Sequence, residues 1–137
     1  MERIRRSLSA VPSWLFTVIV FLAIIWLTLA PKPLGEEMPP LFEGADKIAH
    51  AIMFGGFSIV MLLDWQRKHS WKPVYVRRVI AVALISSLLG AIIEVLQTSM
   101  GMGRGFEYGD IIADTVGAFL FAWLYFVWQK YWIIKNQ

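Results

Sequence analysis

Four long apolar stretches constrain this chain more than any other feature; they lie at about residues 13–30, 47–64, 78–98 and 110–134. A helix needs roughly 17–25 mostly apolar residues to cross a bilayer. Residues 14–30 carry no charge and end at Pro31-Lys32-Pro33, whereas residues 48–63 are interrupted only by His50 and closed by Asp64. Residues 79–97 hold one charge, Glu94, and residues 111–134 hold Asp114 near the start and Lys130 near the end. Composition agrees. Apolar residues make up 58% and charged residues 17%, against roughly 45–50% and 25% in a soluble domain. A small soluble domain keeps much of its chain at the surface, so it cannot hide that much apolar material. An ordinary soluble enzyme, a disordered segment and a disulfide scaffold are all excluded. The absence of cysteine also removes thiolate zinc sites and thiol nucleophiles.

The expected fold is an all-α membrane protein, a single bundle of four transmembrane helices spanning residues 1–137 as one domain. The first stretch exceeds the usual 7–15-residue core of a signal peptide, and Pro31 would follow the cut, so a retained helix is expected. Lysine and arginine in the connections set the orientation. One side collects ten basic residues, Arg67, Lys68, Arg77 and Arg78 among them, against Glu2 and Asp64. The other collects only Lys32, Lys47 and Arg104 against eight acids. Both termini are therefore expected on the cytoplasmic side of the membrane. The net charge of +3 reads as a topology signal and an attraction to anionic lipid heads, so nucleic acid is not an expected partner. The seven tryptophans fall mostly near span ends, where an indole suits the headgroup layer.

Ionisable groups within spans cost roughly 2.5–3.5 kcal/mol at a helix centre, so each calls for a reason. Asp46 and His50 are four residues apart and share a helix face, as do Asp110 and Asp114, while Glu94 and Gln97 are three apart. In the expected topology all six lie toward the outer end of the bundle, beneath the glycine-rich link 100–105 that carries Arg104. Asp46, His50, Glu94, Arg104, Asp110 and Asp114 are the candidate catalytic residues, and Lys47, Gln97 and Arg104 the candidate substrate contacts. Asp46 would orient His50 as a general base, Glu94 would serve as the acid, and Arg104 would hold a phosphate or carboxylate. Plain structural roles compete with these. Asp46 and Asp110 stand where helices begin and can act as N-caps, and Gln97 can be interhelical glue. Surplus negative charge would suit a divalent cation, with Asp46, His50, Glu94, Asp110 and Asp114 as ligands, though the spacing matches no metal motif and requires none. Four-residue spacings of small residues (Ser86 and Gly90, Ala113 and Gly117, Ala118 and Ala122), together with Gly55-Gly56, suit close helix packing.

Asp46-Lys47-Ile48-Ala49-His50 through Phe54 resembles the opening motif of the VanZ-like family. Glu94 to Gln97, then Gly103-Arg104-Gly105-Phe106-Glu107-Tyr108-Gly109-Asp110, Asp114 and Gly117 resemble its closing one. The resemblance covers residues 46–122 in matching order, and the family often carries Asn where Asp114 stands. It implies a small multi-pass bacterial membrane protein of the cell envelope, in a family named for a member linked to resistance to the glycopeptide teicoplanin. The expected partners are membrane lipids and a lipid-linked cell-wall precursor. Whether such a protein is an enzyme is left open by the residues. The competing expectations are a non-catalytic interaction module and a small cation- or proton-coupled transporter.

Overall fold

The computed structural model describes residues 10–30, 42–100 and 106–135, with side chains to residue 131. Among these the chain forms four helices and no strand: α1 (Leu15–Leu29), α2 (Ala45–Lys68), α3 (Val76–Ser99) and α4 (Tyr108–Lys135). The last three are long and apolar enough to cross a membrane. Helix α1 is apolar throughout but only 15 residues long, or about 22 Å at 1.5 Å per residue, short of a roughly 30 Å hydrocarbon core. Against the expected span at 13–30, the described helix is three residues, nearly a turn, shorter.

The ends of these helices follow from local chemistry. Gly44, at φ 84°, is the N-cap of α2 with no side-chain cap bond, and Asp46 lies inside the first turn. The expected capping role of Asp46 is therefore not the one it takes. Arg67 and Lys68 occupy the last turn, where cations complement the carbonyl end of the helix dipole. Ser70 and Trp71 turn the chain through positive φ, held by a 2.7 Å bond from the Trp71 N–H to the Gln66 carbonyl.

Helices α2 and α4 run side by side in the same direction, with α3 antiparallel to both. Two glycines explain how closely they approach. A Cβ on Gly117 would sit 2.1 Å from the Ala51 carbonyl oxygen, and one on Gly55 would meet the Phe121 ring at 2.6 Å. Gly56 faces open space, so of the expected Gly55-Gly56 pair only Gly55 packs. Ser86 donates to the Phe54 carbonyl at 2.9 Å, tying α3 to α2. The apolar core has two clusters, one of Ile24, Phe54, Phe57 and Ile93, the other including Leu62, Val82, Ala122 and Phe126. Outward faces stay apolar: Leu84, Leu88, Ile92 and Val95 on α3, and Ile112, Val116 and Leu120 on α4, are each about half exposed. Such continuous apolar surface is stable in lipid and not in water.

Candidate functional site

The bundle has two ends, and both hold buried polar side chains. At the first, the N-terminal turns of α2 and α4 meet the C-terminal turns of α3. The centre of this end is His50, 6% exposed. Its Nδ1 lies 3.0 Å from Asp114 Oδ1, and its Nε2 lies 4.0 Å from Asp110 Oδ2. Asp114 is 1% exposed and fits only because residue 90 is glycine: a Cβ there would fall 2.4 Å from Asp114 Oδ2. The imidazole is thus held between two carboxylates of one helix. Asp114 fixes its orientation, and the longer gap to Asp110 leaves the Nε2 side without a hydrogen bond of normal length.

This changes the role expected for Asp46. Although Asp46 and His50 share a face of α2, the Asp46 side chain is 48% exposed and pairs with Lys47 at 3.2 Å. The orienting carboxylate comes instead from Asp114, 64 residues away in sequence. Lys47 is the cation of this end among the described residues. Its ammonium lies 3.2 Å from Asp46, 2.9 Å from Glu107 and 3.6 Å from Asp110, and its stem lies across Gly109, where a Cβ would meet Lys47 Cε at 2.6 Å. Asp110 Oδ1 is buried without a hydrogen-bond donor among the described residues, so it caps none of them.

Glu94 is 3% exposed and accepts a 2.7 Å bond from the Glu107 backbone N–H, fastening the entry of α4 to α3. Gln97 donates to the Thr28 carbonyl at 2.8 Å. It joins α3 to α1 and does not face the histidine. Arg104 lies outside the described residues. Of the expected set, the structure brings His50, Asp110 and Asp114 into one cluster with Lys47, and places Asp46 at its exposed rim. Glu107, which supplies both a carboxylate to Lys47 and an N–H to Glu94, was not among the expected site residues; its place in the 103–110 motif was the available signal.

For a metal, three carboxylates come close enough: donor oxygens of Asp46, Glu107 and Asp110 lie within 4.8 Å of one another. Of the five ligands expected, only Asp46 and Asp110 belong to this group. Lys47 already supplies its positive charge.

The second end was not anticipated as a site. Asp64, 5% exposed, accepts from Arg67 at 2.6 Å and from both the N–H and hydroxyl of Thr17 at 2.8 Å. Arg67 also donates to the Val11 carbonyl at 2.7 Å and lies over the Phe16 ring. Beside them Gln129 bonds both polar atoms of the Val74 backbone at 2.8 Å, Gln66 donates to Gln129 at 2.9 Å, and the Tyr125 hydroxyl donates to Gln66. Arg67 was counted as a topology charge; its three-residue spacing from Asp64 was the signal that the two form a pair.

Three apolar helices of crossing length around buried polar clusters define a polytopic helical membrane protein. The VanZ/LLP1 family model matches residues 3–129, and the chain belongs to that family. Comparisons with curated proteins and with solved structures gave no significant match.

Proposed function

We propose that the His50 end is an outward-facing site that binds, and acts upon, the headgroup of an envelope lipid or lipid-linked cell-wall precursor. The carrying observation is His50, buried between Asp114 at 3.0 Å and Asp110 at 4.0 Å, beside a Lys47–carboxylate group that is about half exposed. A buried imidazole with one nitrogen fixed by a carboxylate and the other facing a gap is the arrangement a general base needs. Its depth near helix ends is that of the polar part of a lipid. The distribution of lysine and arginine supports placing this end outside a bacterial inner membrane, with both termini cytoplasmic. Altered sensitivity to glycopeptides such as teicoplanin follows as the cellular readout of this reading.

A second reading, a non-catalytic module whose polar cluster fixes helix register, has one observation in its favour: Asp114 is wedged against Gly90, as a packing element would be. A cation- or proton-coupled carrier has less support, because α2 holds no ionisable side chain between His50 and Asp64.

The experiment is substitution of His50→Ala, Glu94→Gln and Arg104→Lys, scored for glycopeptide sensitivity and envelope-lipid composition, with helicity and monodispersity checked on the purified variants. Loss of phenotype with an intact fold is the expected result. Collapse of the fold in all three would establish the structural reading instead.

A further inference from the structure

At the rim of the His50 end, the carboxylates of Asp46, Glu107 and Asp110 converge within 4.8 Å around a single ammonium, that of Lys47, at 3.2, 2.9 and 3.6 Å. An ammonium directs three N–H donors toward oxygen acceptors, and this group offers one carboxylate for each. The third contact is incomplete. Asp110 Oδ1 is buried and has no hydrogen-bond donor among the described residues: the lysine, anchored one residue from Asp46, reaches it only at 3.6 Å, beyond normal hydrogen-bond length. A buried carboxylate oxygen left without a donor is costly, and more so when it is charged. The rest of the cage is accessible: the side chains of Lys47, Asp46 and Glu107 are 41, 48 and 54% exposed.

We propose that this cage is an exchangeable site for a primary ammonium group, and that the ligand of the His50 end is a lipid or lipid-linked precursor bearing one, with Lys47 the occupant it displaces. The proposal rests on reading this end as a lipid headgroup site and names the headgroup chemistry. Charge favours it. Among the described residues the carboxylates of Asp46, Glu94, Glu107, Asp110 and Asp114 outnumber Lys47 and His50 at this end. Donor chemistry narrows the cation. A quaternary ammonium has no N–H to offer Asp110 and is held by aromatic faces, whereas a primary ammonium brings three N–H donors. Position links the cage to the histidine, since the other oxygen of Asp110 faces His50 Nε2 at 4.0 Å. A ligand ammonium bound at Asp110 therefore delivers its neighbouring polar atoms to the imidazole.

The test is binding of the full chain, in phosphatidylcholine nanodiscs, to phosphatidylethanolamine, phosphatidylglycerol, free ethanolamine and magnesium, read by native mass spectrometry and thermal unfolding. Phosphatidylethanolamine should be retained in preference to its trimethylated counterpart. Lys47→Met should tighten it by about tenfold, roughly the worth of removing one charge-assisted competitor. Asp110→Asn and Glu107→Gln should erase the preference. The second of these touches only exposed atoms, so it reads the cage even if Asp110→Asn folds poorly. Equal retention of all three phospholipids, lost in His50→Ala, would leave the lipid site standing and overturn the ammonium assignment. No lipid retention that any of these variants alters would overturn both. Ethanolamine alone binding as well as the lipid, or magnesium alone stabilising Lys47→Met, would equally overturn the proposal in favour of a soluble amine or a metal.

Discussion

The two polar ends of this bundle differ in how completely their donors and acceptors are matched. At the Asp64 end, Asp64 takes one guanidinium and two Thr17 donors, and Gln129 bonds both polar atoms of Val74. At the His50 end, among the described residues, carboxylates outnumber cations, Asp110 Oδ1 lacks a donor, and the Nε2 gap is too wide for a hydrogen bond. A closed network rigidifies one arrangement of helices. An open one holds acceptors in reserve. On the proposed reading the matched cluster is scaffold and the open one is the site.

Breaking the closed end should have the largest effect on stability. Arg67→Met leaves Asp64 buried at 5% exposure with its charge uncompensated, and removing one partner of a buried pair costs about 3–5 kcal/mol. Unfolding in detergent should show this loss, and Asp64→Leu combined with Arg67→Met should recover much of it. Gly117→Ala comes next. Its Cβ would meet the Ala51 carbonyl at 2.1 Å, so backbone must move, at roughly 1–3 kcal/mol for overpacking. Gln129→Leu orphans the Val74 backbone and should cost about 1–3 kcal/mol while leaving ligand binding at the other end unchanged. At the open end the order reverses. Glu107→Gln alters an exposed ion pair of the kind that contributes little to folding, so its unfolding midpoint should match the wild type while binding falls. A large loss of stability in Glu107→Gln, or of binding in Gln129→Leu, would dissolve the distinction.

The sequence made the helices legible where length and hydropathy suffice. The expected spans at 47–64, 78–98 and 110–134 lie within α2, α3 and α4, because an uninterrupted apolar run in lipid leaves the backbone little choice but helix. The gathering of His50, Asp110 and Asp114 was legible too, since each is too costly to bury without company. Partner choice was not. The four-residue spacing places Asp46 and His50 on one face, yet Asp46 sits at the exposed start of α2 and pairs with Lys47. The absent side chain of Gly90 makes the space for Asp114. The Asp64–Arg67 pair was hidden for a related reason. A positive-inside count treats every arginine at a span end alike, and only the packing of α1 and the residues before it against α2 brings Thr17 to Asp64 and the Val11 carbonyl to Arg67.

The nitrogen-15 spectrum of the His50 imidazole, recorded in nanodiscs with His69 replaced by glutamine, tests the central claim most directly when the Gln129 side-chain amide is followed in the same sample. Adding envelope lipid extract should shift the His50 nitrogens and leave the Gln129 amide where it was. An unmoved His50 resonance, or equal shifts at both ends, would contradict the division into an open site and a closed scaffold.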